Sequence, residues 1–395
     1  MTEANSSEVK RAMALLSAAK APLVIIGKGA AFGRAEDELK HFVEHTNIPY
    51  ITVPMGKGVI PDDHPNHVVP ARSTALKEAD IVLLVGARLN WILHFGGPPR
   101  YDPNVRFIKI DVYEEEMHNS KPAEVALVGN AKCVIAQMNE VHASNPWKYD
   151  NNSTYWNNLR STIAKNKKIS ADLGSDKSSP LNYYATLQCI QSHLPRDAFI
   201  MSEGANTMDI GRTILDNYLP RSRLDAGTFG TMGVGLGQLI AAAVVHPDRK
   251  VVGVMGDSAF GFSAMEYETV VRFQMNVLII ILNNNGIGGG PRNWKKEWDT
   301  PMGAVDSPVN SLNPAIRYEK LTEAFGGRAF YATTYDEVNK LTPEAIAHKG
   351  PAIFHIRINV RANRKKQEFP FGSMQSMLAG SAPVAKNKTN GNSKL

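Results

Sequence analysis

The chain has 395 residues, 43% of them hydrophobic, and a formal net charge of +6 at pH 7. This length and apolar content are enough for about two domains with buried cores, and no apolar run approaches the ~20 residues that a membrane-spanning helix needs. The excess positive charge lies within residues 361–395, and the other 360 residues carry equal numbers of basic and acidic side chains, which argues against a nucleic-acid-binding face.

The start of the chain and its cysteine content argue against secretion. Residues 1–10 are polar, unlike a signal peptide. Cys133 and Cys189 each lie in an apolar helical pattern without CxxC spacing. We therefore expect buried free thiols in a reducing compartment, rather than a redox or metal site.

Residues 8–143 predict a first α/β domain. Its short apolar runs alternate with amphipathic segments, as in a doubly wound parallel sheet that helices cover on both faces. The predicted strands are residues 22–26, 48–53, 81–85 and 107–112, and the predicted helices are residues 8–19, 36–45 and 131–141. The glycine-rich stretch from Gly27 to Gly33 follows the first strand, but its spacing is wrong for GxGxxG, so it is a weak dinucleotide motif.

Residues 144–179 are rich in Asn, Ser and Lys and predict a linker with one polar helix. Residues 180–365 predict a second domain of the same kind, so the expected fold class is α/β, with two doubly wound parallel-sheet domains and helices on both faces. Its predicted strands are residues 199–202, 250–255, 277–282 and 353–358, and its predicted helices are residues 183–193, 208–218, 233–245 and 265–273.

Residues 366–395 predict a flexible basic tail, because Gly, Ser, Asn and Lys dominate there. The tail ends in Ser393-Lys394-Leu395. This tripeptide is an address that the peroxisomal import receptor reads. The sequence therefore predicts a peroxisomal protein.

Two polar turns follow neighbouring strands of the second domain. Residues 250–255, 264–273 and 277–282 predict one βαβ unit, and its right-handed crossover makes the two strands parallel. Asp257 and Asn284 are 27 residues apart in sequence, yet both follow a strand end and should meet at the same edge of the sheet. Ligands bind at that edge in open α/β sheets.

The residue types at these turns suit a magnesium ion that is shared with a diphosphate. Asp257, Asn284 and the backbone carbonyl of a glycine turn supply only three oxygen donors, and Mg²⁺ takes the rest of its six ligands from phosphate and water. Gly256 permits close backbone approach, and the helix that begins after Ser258 favours an anion. The alternative is that both glycine-containing segments are ordinary turns.

Gly256-Asp257-Ser258 and Asn283-Asn284-Asn285-Gly286 resemble the fingerprint of thiamine-diphosphate enzymes related to acetolactate synthase and pyruvate decarboxylase. Within that family, residues 86–91, 202–209, 224–237 and 256–263 are most similar to 2-hydroxyacyl-CoA lyases and next to oxalyl-CoA decarboxylases. The likeness covers residues 8–368 and begins at the family's central domain.

The resemblance implies roles for residues of the second domain. Asp257, Asn284 and the carbonyl of Gly286 would bind Mg²⁺, while Ala205 and Asn206 would lie along the diphosphate. Met232 would wedge between the two rings of thiamine diphosphate and bend the cofactor. Ordinary core packing is the alternative for Met232.

The resemblance also implies that the first domain receives the ADP part of coenzyme A. The candidates for phosphate and ribose contacts are Arg72, Arg88 and Asp111, for which surface salt bridges are the alternative. Arg364-Lys365-Lys366-Gln367 resembles the basic segment that closes over coenzyme A, although a solvated basic run has the same composition. Ile287-Gly288-Gly289-Gly290 departs from the acyl-CoA relatives, which place a tyrosine after the isoleucine, and this loosens the substrate assignment.

The implied activity is cleavage of a 2-hydroxyacyl-CoA to formyl-CoA and an aldehyde one carbon shorter, a step of fatty acid alpha-oxidation. In the family, the glutamate that activates the cofactor lies in an N-terminal pyrimidine-binding domain. The likeness begins at the central domain, so we expect the N-terminal domain to be missing, and we expect Glu203 to lie in the diphosphate loop. We therefore predict a truncated form that contains no catalytic residue, binds the cofactor weakly and turns over negligibly alone.

Two other functions stay open at this point. One is oxalyl-CoA decarboxylase, and the other is a non-catalytic subunit that binds cofactor or nucleotide. The expected partners are an acyl-CoA substrate, the import receptor, and either further copies of this chain or a full-length partner subunit.

Overall fold

The computed structural model describes residues 2–289, 308–314 and 316–362, which contain two parallel β-sheets. No helix in these ranges has the length and apolarity needed to cross a membrane. The predicted tail at 366–395 with Ser393-Lys394-Leu395, the basic segment Arg364-Lys365-Lys366-Gln367, and Gly290 lie outside the described residues.

The first sheet has five parallel strands in the order β2-β1-β3-β4-β5. These are β1 (Pro22–Ile26), β2 (Tyr50–Thr52), β3 (Ile81–Val85), β4 (Arg106–Asp111) and β5 (Val125–Val128). The accompanying helices are α1 (Ser6–Ser17), α2 (Lys28–Phe32), α3 (Glu36–Thr46), α4 (Arg72–Glu78) and α5 (Ala131–Ser144).

Helices cover both faces of this sheet. Val24 and Ile26 face a core that contains Phe42 of α3, whereas Leu23 and Ile25 face a second core that contains Leu76 of α4. Alternate residues of one fully buried strand thus enter opposite cores, as expected for a strand covered on both sides. The predicted fold class is confirmed here.

The segment predicted as a linker contains a long helix, α6 (Thr154–Ser175). Tyr155, Trp156 and Leu159 in its first turns are buried in the core beside α4, and the Tyr155 hydroxyl donates to the Ala75 carbonyl at 2.9 Å. The start of α6 is therefore part of the first sheet's packing, and Leu173 near its end packs against a core of the other sheet.

The second sheet has six parallel strands in the order β10-β11-β9-β8-β6-β7. These are β6 (Phe199–Glu203), β7 (Arg223–Asp225), β8 (Val251–Gly256), β9 (Val277–Asn283), β10 (Arg328–Ala332) and β11 (Ala352–Arg357). The helices are α7 (Tyr183–His193), α8 (Asn206–Ile214), α9 (Gly235–Val245), α10 (Asp257–Gly261), α11 (Tyr267–Arg272), α12 (Glu319–Phe325) and α13 (Tyr335–Ala347).

Two buried cores flank this sheet as well. Cys189 is buried in one of them, Cys133 of α5 is half-buried, and both are free thiols. Residues 2–362 belong to one compact unit. The two-domain division with boundaries at 8–143 and 180–365 therefore stays a proposal based on the two sheets and their separate cores.

A buried ion pair joins the residues around the two sheets. Lys57 Nζ lies 2.6 Å from Asp62 Oδ2, and both side chains are almost fully buried. The same Asp62 carboxylate accepts the backbone N–H of Asn217 at 2.8 Å, and Lys57 also donates to the carbonyl of Arg212. These bonds hold the end of α8 and the segment that follows it against the loop that follows β2.

Candidate functional site

The strand order of the second sheet reverses between β6 and β8. From β6 the chain continues outward to β7, and it then returns to β8 and continues to β9 on the other side. The carboxyl ends of β6, β8 and β9 are therefore neighbours, and they end at Glu203, Gly256 and Asn283. A crevice at such a reversal is the usual ligand site of an open α/β sheet.

Asp257 is the first residue of α10 and its side chain is buried. Its Oδ1 accepts the N–H of Ser258 at 2.8 Å, and its Oδ2 accepts the N–H of Gly286 at 2.9 Å. The structure thus brings the turn after β8 into direct contact with the turn after β9, 29 residues later.

Asn284 is also buried, and its side-chain nitrogen donates to the Gly288 carbonyl at 3.3 Å. Because the two ends of an amide are distinct, this bond leaves the Asn284 oxygen as the end that can meet a cation. Asn285 has a left-handed backbone, with φ of 61°, a conformation that asparagine tolerates better than most residues. Asp257, Asn284 and Gly286 are therefore all found at one edge of the sheet.

The chemistry of this donor set fits a divalent cation. Burial raises the pKa of Asp257 to about 7, although backbone N–H groups of Ser258 and Gly286 act in the opposite direction. A buried carboxylate is usually paired with a cation or coordinates a metal. Carboxylate, amide and carbonyl oxygens are the ligands that Mg²⁺ prefers, so the residues present suit this ion.

The backbone around Gly204 and Gly256 suits an anionic ligand. Gly204 has φ of +121°, and a Cβ there would lie 3.4 Å from the backbone nitrogen of Gly256. Ala205 precedes α8 without capping it through a side chain, and the N-terminus of a helix favours an anion. Asn206 begins α8 and is buried, whereas Ala205 is exposed.

Glu203 corrects one expectation. We expected it in the diphosphate loop, but it is the last residue of β6 and is fully buried. Its carboxylate accepts the N–H of Gly233 at 2.5 Å and that of Gly235 at 2.7 Å. Burial raises the pKa of Glu203, and the two backbone hydrogen bonds partly offset this effect.

Met232 lies beside these two hydrogen bonds, half-buried in the loop between β7 and α9. Gly227, Gly230 and Gly233 in this loop all have positive φ, so little in the local backbone holds its shape. Glu203 therefore positions the Met232 segment from the end of β6. This role of Glu203 was not predicted from the sequence, although an acidic residue at the end of an apolar strand indicates that it has a specific partner.

Two of the first-sheet candidates, Arg88 and Asp111, form an ion pair. Arg88 Nε lies 3.5 Å from Asp111 Oδ2, and its Nη1 lies 3.2 Å from Glu116 Oε1. Arg88 lies shortly after β3 and Asp111 is the last residue of β4. The two strands are adjacent, so the structure brings these two residues together. The Arg88 side chain is 43% exposed and remains accessible to an anion.

Arg72 takes part in a different contact. It donates to the carbonyl of Ile92 at 2.5 Å and to Nε2 of His94 at 3.2 Å. Burial, together with the positive charge of Arg72, lowers the pKa of His94 to about 3, so the ring is neutral and can accept. Arg72 thus stabilises the backbone of residues 91–96, where His94 and Phe95 have left-handed φ.

The glycines after β1 serve close packing. A Cβ at Gly27 would lie 2.2 Å from the carbonyl oxygen of Gly86, and one at Gly29 would lie 2.7 Å from the Gly86 Cα. The turns after β1 and β3 therefore touch through their backbones. This contact explains the glycine-rich stretch without a dinucleotide.

Comparison with known proteins identifies both halves of the chain. Residues 9–138 match the family described as thiamine pyrophosphate enzyme, central domain, and residues 203–356 match its C-terminal TPP binding domain. The chain is 47% identical over 381 residues to 2-hydroxyacyl-CoA lyase 1 of Homo sapiens, covering 95% of this chain and 66% of that protein.

Two further relatives come from other organisms. The chain is 44% identical to 2-hydroxyacyl-CoA lyase of Arabidopsis thaliana, over 89% of this chain and 62% of that protein. It is 37% identical to oxalyl-CoA decarboxylase of Escherichia coli (strain K12), over 90% of this chain and 61% of that protein. The chain thus spans just under two thirds of the length of these curated relatives. By these matches and by the site at its second sheet, the chain belongs to the thiamine pyrophosphate enzyme family, in which it is similar to the 2-hydroxyacyl-CoA lyases.

Proposed function

We propose that the chain binds thiamine diphosphate through Mg²⁺ and forms the cofactor-binding part of a carbon–carbon lyase. Its substrate would be a 2-hydroxyacyl-CoA, cleaved to formyl-CoA and an aldehyde one carbon shorter. The observation that carries the cofactor site is the 2.9 Å hydrogen bond between Asp257 Oδ2 and the N–H of Gly286. It joins the two turns at the strand-order reversal, and the 47% identity to a 2-hydroxyacyl-CoA lyase supports the reaction.

Each residue at this edge has a distinct task in the proposal. Asp257, Asn284 and the carbonyl of Gly286 would hold the magnesium ion. The diphosphate would lie along a surface formed where α8 and α10 begin. Ala205 and Asn206 belong to the start of α8, and Gly256 and Ser258 belong to the start of α10. Neutralisation of the diphosphate by Mg²⁺ and by helix N-termini makes this binding favourable.

When bound, thiamine diphosphate supplies the nucleophilic carbon and the electron sink for breaking a bond next to a carbonyl. The residues of this chain bind and orient it. Met232 would pack between its two rings, and Glu203 would hold Met232 there through the N–H groups of Gly233 and Gly235. By the family resemblance, the glutamate that activates the cofactor belongs to a domain of the N-terminal kind, so we propose that turnover depends on such a domain.

A calorimetric titration tests the cofactor site. Thiamine diphosphate is titrated into the purified chain with Mg²⁺ and, separately, with EDTA. We expect saturable binding with Mg²⁺ and none with EDTA, because the diphosphate and the Asp257 carboxylate would otherwise repel each other. Equal heats under both conditions would contradict a metal-bridged site.

Product analysis tests the reaction. The chain is incubated with cofactor, Mg²⁺ and either 2-hydroxyacyl-CoA or oxalyl-CoA. Formyl-CoA with an aldehyde supports the lyase, whereas formyl-CoA with carbon dioxide supports the second candidate, a decarboxylase, which the 37% identity to oxalyl-CoA decarboxylase keeps open. Cleavage clearly above trace level would exclude a non-catalytic subunit and would also contradict the need for a further domain.

Arg88 is proposed to contact a phosphate of the ADP part of coenzyme A, with Asp111 and Arg72 shaping the same region. We expect Arg88→Ala to weaken ADP binding about tenfold, the effect of losing one charge-assisted hydrogen bond, as measured by equilibrium dialysis. Arg106→Ala is the matched control, because Arg106 is exposed at the opposite end of β4. Equal affinity for ADP in Arg88→Ala and Arg106→Ala would show that Arg88 forms only its salt bridges and does not bind the phosphate.

The peroxisomal location and the self-association are proposed from the sequence and from the family resemblance. Ser393-Lys394-Leu395 supports import into peroxisomes, and deleting these residues from a fluorescent fusion should abolish import. The family resemblance supports association with further copies or with a full-length subunit. Sedimentation at a monomer mass over a wide concentration range would contradict self-association.

A further inference from the structure

We propose that Glu319, His355 and Asn283 form a buried hydrogen-bonded relay that positions the turn from Asn284 to Gly286 for metal binding. This inference rests on the proposed magnesium site, and it assigns positioning residues that do not themselves contact the ion. The relay starts at α12, passes through His355 of β11 and ends at the last residue of β9.

The three side chains are in direct contact and shielded from water. His355 is 0% exposed and Glu319 is 3% exposed. His355 Nδ1 lies 2.6 Å from Glu319 Oε2, and His355 Nε2 lies 2.9 Å from the side-chain nitrogen of Asn283. The Asn283 side-chain oxygen in turn accepts the backbone N–H of Asn285 at 2.8 Å.

Only one arrangement of protons satisfies all of these contacts at once. A carboxylate can only accept, so Nδ1 of His355 donates to Glu319, and Nε2 is then the acceptor of a neutral ring. Asn283 therefore donates its amide N–H to His355, which leaves its oxygen facing the N–H of Asn285. With the amide reversed, two donors would face each other at Asn285.

The last bond of the relay acts on the turn that would hold the metal. In this bond the Asn283 side-chain oxygen accepts the N–H of Asn285, whose φ is 61°. The next N–H, that of Gly286, donates to Asp257. The turn is thus held by the relay on one side and by a metal-site carboxylate on the other. Groups that orient metal ligands typically contribute about 10- to 100-fold to metal affinity.

A plain structural role for His355 predicts a different outcome. A buried histidine that only filled the core would affect the stability of the chain but not the magnesium affinity. His142 is a suitable comparison, because it is buried beside the first sheet and its Nε2 contacts the Trp147 carbonyl, far from this turn in sequence. Replacing each histidine with leucine removes a similar buried polar contact.

The test uses the full chain and three variants, His355→Leu, His355→Gln and His142→Leu. Calorimetry gives the Mg²⁺ concentration for half-saturation at fixed thiamine diphosphate, and hydrogen-exchange mass spectrometry follows peptides covering 278–289. We expect His355→Leu to need about tenfold more Mg²⁺ and to exchange faster at this turn. His355→Gln should recover most of both effects, since its amide can donate to Glu319 and accept from Asn283.

The outcomes separate the relay from the proposed function. Unchanged Mg²⁺ affinity and unchanged exchange in His355→Leu, or equal effects in His142→Leu, would overturn the relay. If the unaltered chain bound no Mg²⁺ while His355→Leu still exchanged faster at the turn, the proposed cofactor site would fail and the relay's effect on the turn would stand. If His355→Leu does not fold, Glu319→Gln supplies the disrupted variant in a milder form, and His355→Gln remains the variant that should retain the contacts.

Discussion

Asp257→Ala is expected to weaken Mg²⁺-dependent binding of thiamine diphosphate by about 100-fold or more. The change removes the one carboxylate of the proposed ligand set, and taking away one partner of a buried charge pair typically costs about 3–5 kcal/mol, which is 100-fold or more in affinity. The calorimetric titration with Mg²⁺ measures the loss directly.

The control for this prediction is Asp248→Ala, since Asp248 is an exposed carboxylate shortly before β8. It should leave the affinity unchanged. The thermal unfolding of both variants without cofactor shows whether Asp257→Ala still folds. A folded Asp257→Ala chain with the affinity of the unaltered protein would remove Asp257 from the site and, with it, the magnesium assignment.

Glu203→Ala is expected to destabilise the chain by about 3 kcal/mol, because the half-buried N–H of Gly233 and the buried N–H of Gly235 lose their acceptor. Loss of the acceptor of a buried group costs about 1–3 kcal/mol. The loop around Met232 contains three glycines with positive φ and should become mobile. Urea unfolding measures the free energy, and the cofactor titration should show weaker binding as well.

Glu203→Gln separates the contribution of the two bonds. The amide keeps one acceptor oxygen but turns an N–H₂ group towards the other backbone donor, so we expect a loss between that of Glu203→Ala and zero. Glu266→Ala, which alters an exposed glutamate of the same sheet's helices, should change neither quantity. Unfolding of Glu203→Ala at the urea concentration of the unaltered chain would show that Glu203 does not hold the Met232 loop.

The central strands of both sheets could be predicted from the sequence. The strands predicted at residues 250–255 and 277–282 are observed at Val251–Gly256 and Val277–Asn283. They were predictable because strands buried on both faces form continuous apolar runs. The strands β5, β7 and β10 escaped prediction. All three lie at sheet edges, and exposed or half-exposed residues interrupt their buried ones.

The meeting of the two turns at the proposed metal and diphosphate site could also be predicted from the sequence. The crossover connection of a βαβ unit joins parallel strands, so the turns that contain Asp257 and Gly286 had to lie at one edge. The hydrogen bond between these two residues is the observed form of that contact. Their roles as metal ligands remain a prediction for the titrations above.

The supporting contacts needed the tertiary structure. Glu203 binds residues 30 and 32 positions away, and His355 joins Asn283 with Glu319 across 72 and 36 positions. Arg72 likewise turned out to bind the backbone of residues 91–96 instead of pairing as Arg88 does.

By itself, the sequence determined the fold class and the edge of the sheet at which the polar turns meet, because apolar periodicity and crossover connections are properties of short stretches of chain. Its motifs at those turns indicated the family by resemblance. Only the tertiary structure decided which buried side chain holds which loop. Strand order and register set those partners, and a local pattern of residues contains no information about either.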